Sequence, residues 1–139
     1  EQLDLQPAGT WPAPELAVTV DHDRGPVLVT VEYRIDDADR EAFLGLMRQL
    51  GRMRRRDGAV VWGVAEDAAA PGVHLEYFVA ASWLEHLRQH QRVTGEDRAH
   101  QQQILALHRG EQPPSVRHFI GGGPLPSGTA GRLHAHHDI

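Results

Sequence analysis

Between residues 27 and 35 apolar and polar positions alternate, with Val27, Val29, Val31, Tyr33 and Ile35 on one side and Leu28, Thr30, Glu32 and Arg34 on the other. A strand with one buried face is predicted. The period then changes to that of a helix, with apolar residues at Ala42, Phe43, Leu46, Met47, Leu50 and Met53; Asp36 or Asp37 is placed to cap it and Gly58 to end it. Residues 59–66 and 73–81 read as two β runs joined through a turn at Pro71-Gly72. Ser82 is placed to cap a second helix with Trp83, Leu84, Leu87 and Val93 as its inner stripe, and Gly95 bends or interrupts it before Ile104, Leu105 and Leu107. After Gly110 and Pro113-Pro114 the alternation returns over residues 115–120, with Val116, His118 and Ile120 on one side. The order β-α-β-β-α-β predicts an α+β, ferredoxin-like fold, with both helices on one face of a four-stranded antiparallel sheet.

The other sheet face is expected to show Thr30, Glu32, Arg34, His74, Glu76, Phe78, Arg117 and Phe119. Charge mixed with aromatic area suits packing against a second copy, in which Glu32 and Glu76 would pair with Arg34 and Arg117. Outside the folded unit, residues 1–26 are rich in Pro and Gly and read as a linker, with Trp11 expected to dock on the domain. Residues 121–139 read as a flexible tail carrying His134, His136 and His137, which leaves residues 27–120 as the domain.

Composition narrows the function. Of 139 residues, 14 are Lys or Arg against 19 Asp or Glu, and the net charge of −5 has the wrong sign for a nucleic-acid partner. All the cations are Arg, so a Schiff-base lysine and a Walker lysine are excluded. With no Cys there is no thiolate nucleophile or disulfide framework, and no apolar run is long enough to cross a bilayer. The chain opens on Glu1 rather than Met, as an excerpt or a processed product would.

His86 and His90 lie four apart on one helix face, a spacing that suits a metal ion, but no spacing selects a third ligand among Glu66, His74 and His118. No metal is therefore expected, and the tail histidines and the Asp21-His22-Asp23 run are read as incidental. Arg52, Arg54, Arg55 and Arg56 form the strongest basic cluster; they suit an anion or headgroup, or serve the dipole at a helix C-terminus. Tyr33, Trp62, Tyr77 and His118, with Trp83, His86 and His90, are the polar-aromatic groups available to line a cavity between sheet and helices. An ordinary core with satisfied polar tips is the competing reading. No Ser-His-acid order, phosphate loop or paired-carboxylate motif stands out.

Two stretches carry a family resemblance: the strand-helix run from Gly25-Pro26 through Asp36 to Arg54-Arg55-Arg56-Asp57-Gly58, and the run Ser82-Trp83-Leu84-Glu85-His86-Leu87-Arg88-Gln89-His90 to Thr94. Together they resemble the soluble C-terminal domain of bacterial major facilitator transporters of the transmembrane secretion effector type. Trp11-Pro12-Ala13-Pro14 is similar to the connector after the last membrane helix of such proteins. The resemblance implies a non-catalytic cytosolic domain that dimerises or senses a ligand, tethered to the inner membrane by its parent transporter and needing no cofactor. Its partners would be a second copy, the transporter's membrane portion and a small aromatic ligand. It also implies kinship with antibiotic-biosynthesis monooxygenase-like dimeric α+β barrels, and so an alternative activity, cofactor-independent oxygenation of a phenolic or polycyclic aromatic substrate. Such oxygenases commonly place an Asn on the first strand, and this chain has no Asn at all. In the enzyme reading Trp83, His86 and His90 would orient the substrate for proton removal.

Overall fold

The first strand, β1 (Val27–Arg34), buries Val27, Val29, Val31 and Tyr33, as its alternation predicts. In the computed structural model, which describes residues 21–122, it is followed by α1 (Arg40–Arg56), β2 (Val61–Glu66), β3 (Val73–Ala80), α2 (Trp83–Gln91), α3 (Gly95–Leu105) and β4 (Ser115–Ile120). The sheet order is β2-β3-β1-β4 with every pair antiparallel, which is the ferredoxin-like α+β arrangement. Trp11, His134, His136, His137, most of the linker-like segment and the tail from residue 123 lie outside the described residues.

Phe43, Met47 and Leu50 recur on one side of α1 and are fully buried against Val31, Tyr33, Ile35 and Ile104. Each such side chain stabilises the fold by about 1.5–3 kcal/mol. Gly58, at φ +116°, provides the left-handed turn after α1, and the Ala59 amide then donates to the Arg54 carbonyl. The start of α1 differs from expectation: neither Asp36 nor Asp37 caps it, because a short 3₁₀ turn at Asp37–Asp39 comes first. The Asp36 carboxylate instead accepts from Arg109 at 2.8 Å.

Ser82 caps α2 by accepting from the Glu85 amide, but the helix stops at Gln91. Thr94 and Asp97 form a capping box that starts α3 afresh, so local hydrogen bonding at Thr94 makes two helices where one interrupted helix was predicted. Residues 22–24 do not hang free, since the Arg24 and His22 carbonyls accept from the first amides of α2.

One close approach fixes how α1 sits on the sheet. A Cβ at Gly51 would meet the Trp62 ring at 2.6–2.8 Å, so the helix rests directly on the indole. Gly51→Ala is expected to cost about 1–3 kcal/mol through overpacking, read as a lower urea midpoint. An unchanged midpoint would mean that the indole is free to yield.

The β3 face corrects the sequence reading. Register sets Glu76 beside Val31, Phe78 beside Val29 and His74 beside Tyr33, so these three side chains point under the helices and are buried. The outward face instead carries Leu28, Thr30, Glu32, Leu75, Tyr77, Arg117 and Phe119, with Arg34 exposed at its end.

Candidate histidine-lined pocket

Helical spacing puts His86 and His90 one turn apart, with ring centroids 4.8 Å from each other, and His118 reaches His86 at 4.9 Å from the inward face of β4. Trp83 backs this cluster, its ring centroid 5.4 Å from His86 and 6.1 Å from His118. His86 is 2% exposed, and the Gln89 side chain is the polar group that reaches its ring. Burial pushes its pKa down to about 3, helped by His90 and His118, against the Gln89 hydrogen bond and with a smaller push from Arg54. His90 is lowered to about 4 by burial, by Arg54 and by His118; burial also lowers His118. At neutral pH the rings are uncharged and keep free lone pairs.

These rings open on a cavity of about 40 Å³. Its walls are apolar, from Val29, Val31, Leu50, Met53, Phe78, Val93 and Val116, with Gln89, Asp97 and Gln101 adding polar atoms. Gln89 presents a buried amide nitrogen beside the His86 ring. Arg54 closes one side. It comes from the inner stripe of α1, lies over the Phe78 ring at 4.5 Å, and donates from Nε and Nη2 to the two oxygens of Glu76 at 2.9 and 3.2 Å. Glu76 is wholly buried and also accepts from Trp62 Nε1 at 2.9 Å. Burial works against the Arg54 charge, and the Glu76 carboxylate outweighs it, so the guanidinium is held above its ordinary pKa.

At the rim Asp97 accepts from Arg56 Nη2 at 2.6 Å and from the Thr94 amide. Burial works to raise its carboxyl, and those hydrogen bonds outweigh it, keeping Asp97 below its usual range.

The structure therefore brings together His86, His90 and His118, with Trp83 behind them, but not the other expected lining residues. Tyr33 is buried edge-on against Phe43 at 5.2 Å, away from the cavity. Burial and the Glu76 charge raise its hydroxyl pKa. Trp62 is spent between Gly51 and Glu76. Tyr77 lies across Gly63 on the outward face of the sheet, so it lines nothing inside. His74 is buried beside Phe43 at 5.1 Å.

Sequence reasoning missed Arg54, Glu76 and Gln89. A signal existed for Arg54: it stands four residues after Leu50 and seven after Met47, on the stripe that must face the sheet, where a cation requires a buried acid. Among the described residues no three His, Asp or Glu side chains are arranged to hold a metal ion, and no helix is long and apolar enough to cross a membrane.

Residues 1–123 match the model of a family described as transmembrane secretion effector. Among solved structures, an antibiotic biosynthesis monooxygenase superposes with TM-score 0.57 at 18% identity, covering 70% of this chain and 99% of the other. A variant of SnoaB, a cofactor-independent oxygenase from Streptomyces nogalater, gives 0.58 at 15%, covering 72% and 96%. Rv0793 from Mycobacterium tuberculosis gives 0.56 at 20%, covering 73% and 96%. At such identities the likeness is one of fold. No curated protein matches the chain.

Proposed function

The chain belongs to the transmembrane secretion effector family, and from that premise we propose that it is a non-catalytic cytosolic domain of an efflux-type transporter, self-associating and sensing a small aromatic ligand. One observation carries the sensing part. His86 and Gln89 set buried polar atoms beside a cavity with apolar walls, with only each other as side-chain partners among the described residues, and polar atoms so placed favour a ligand that supplies a donor and an acceptor. Among the described residues no carboxylate pairs with His86, His90 or His118, and the deep acid, Glu76, is engaged by Arg54 and Trp62. Such rings recognise a hydroxyl or carbonyl without being driven to abstract a proton.

The outward sheet face supports self-association. Leu28 and Phe119 are cross-strand neighbours and Leu75 lies further along beside Glu32, all three 36–40% exposed, with Arg117 on the same face, so apolar area alternates with charges of both signs. Sedimentation velocity should give a dimer at micromolar concentration, and Leu75→Arg with Phe119→Arg should give monomer. A monomer in the parent chain would end the dimerisation part.

The ligand test uses 1,8-dihydroxyanthraquinone in titration calorimetry. Binding is expected in the parent chain and about tenfold weaker in His86→Leu, the loss of roughly 1.4 kcal/mol that one hydrogen bond to a buried partner supplies. Equal affinity in the two proteins would refute the pocket reading.

A second reading, cofactor-free oxygenation of a phenol, draws on the fold shared with an oxygenase and on three uncharged imidazoles in one cavity. Anthrone decides between the two in an oxygen electrode. No uptake above buffer supports the sensing reading, and uptake abolished by His90→Ala would replace it with the enzyme.

A further inference from the structure

The outer side of α1 carries a charge pattern that the pocket does not use. Arg48, Arg52 and Arg55 are all exposed, and at 100° per residue they fall within about 60° of one another on the helix surface. The stripe runs for about 10 Å at 1.5 Å per residue. None of the three makes an ion pair among the described residues, whereas Arg40, Arg54, Arg56, Arg92 and Arg109 each hold a carboxylate. In a chain with more acids than bases, three neighbouring cations without a counter-ion mark a surface arranged to meet an anion. The helix dipole accounts for little of it. Its effect fades beyond the last turn, which holds Arg54, Arg55 and Arg56, and Arg48 and Arg52 lie before that turn. Glu41, two turns before Arg48 on the same side, is taken up by Arg40 at 3.3 Å and leaves the stripe positive.

We infer that the Arg48–Arg52–Arg55 face of α1 docks on an anionic phospholipid surface. Guanidinium groups match phosphate oxygens in geometry as well as charge, and the family to which the chain belongs is a transmembrane one, so a bilayer is the extended anionic surface at hand. A nucleic acid fits worse: no aromatic side chain interrupts the stripe, and the net charge of −5 repels a polyanion approaching from elsewhere. Docking through α1 leaves the outward sheet face free, because the two lie on opposite sides of the sheet.

The test is flotation of the full chain with vesicles of phosphatidylglycerol and phosphatidylcholine in equal parts, against phosphatidylcholine alone, at pH 7.5 and low salt. Net charge alone predicts repulsion, so binding to the anionic vesicles, lost at about 0.5 M salt, supports the docking face. Each cation near such a surface strengthens binding about fivefold, so Arg48→Gln/Arg52→Gln/Arg55→Gln should weaken partitioning on the order of a hundredfold, with an unchanged circular dichroism melt. A charge-matched Arg24→Gln/Arg88→Gln/Arg109→Gln protein, changed away from both α1's outer side and the outward sheet face, should bind within about threefold of the parent. Three results overturn the proposal: no preference for anionic vesicles, equal loss in the two triple variants, or displacement from vesicles by millimolar inorganic phosphate at constant ionic strength. The last would assign the arginines to a small soluble anion.

Discussion

In a Glu76→Ala protein the unfolding free energy should fall by about 3–5 kcal/mol. Glu76 is fully buried and holds three donated hydrogen bonds, two from Arg54 and one from Trp62. Without it a guanidinium whose side chain is only 15% exposed loses the carboxylate that takes both of its short hydrogen bonds, and an indole N–H loses its acceptor. A domain of this size has only about 5–15 kcal/mol of stability in all, so the variant would be partly unfolded at physiological temperature. Urea denaturation followed by tryptophan fluorescence measures the loss.

Arg54→Met should cost nearly as much by the mirror argument, since it strands the carboxylate. The double variant Glu76→Leu/Arg54→Met should recover most of the loss, because removing both charges removes both desolvation penalties. Additive losses in the double variant would show that the ion pair is not what makes these positions costly. A single-variant loss under about 1 kcal/mol would show that water reaches the pair. Because Arg54 lines the cavity, the double variant should also alter ligand affinity while restoring stability, which separates the structural role of the pair from its part in the site.

The same pair explains which parts of the fold were legible in the sequence. β1, α1 and β4 were, because their apolar positions sit at one period and one phase: Val27, Val29, Val31 and Tyr33 on the strand, Phe43, Met47 and Leu50 on the helix. β3 was not. Its alternation sets Val73, Leu75, Tyr77 and Val79 against His74, Glu76, Phe78 and Ala80, and hydropathy alone prefers the first set for the core. The structure buries the second set, because pairing with β1 fixes the phase and because Arg54 and Trp62 supply partners that make a buried Glu76 tolerable. Periodicity reports one element at a time, whereas this choice depends on three. Tyr77 followed the same inversion: placed inside by its aromatic ring, it lies outside over Gly63. His86 and His90 were legible through their spacing, but His118 joins them only through the position of β4 beside β1.

Acid should destabilise the domain well before its carboxylates protonate, and the histidine cluster sets the sign. His86 and His90 have pKa values of about 3 and about 4 when folded, lowered first by burial, whereas an unfolded histidine titrates near 6.5. Between those limits the unfolded chain binds protons that the folded one refuses, so stability is complete above about pH 6.5 and falls as the pH drops toward the folded values. The slope approaches about 1.4 kcal/mol per pH unit for each ring, and lowering the pH from 6.5 to 5 should remove about 2–4 kcal/mol for the two together. His118 acts in the same direction. The carboxylates that the fold holds low, Glu66 and Asp97, lose their contribution only below about pH 4.5, outside this window. Urea midpoints measured at intervals between pH 7.5 and 5 read the effect, and His86→Leu should lose close to half of the slope, because a leucine has no proton to refuse. A slope identical in the two proteins would show that His86 is not held neutral in the fold. A ligand that fills the cavity and pairs with the ring nitrogens should deepen the dependence if it is neutral. An anionic ligand should flatten it, because a negative charge beside the rings raises their folded pKa values toward the unfolded one.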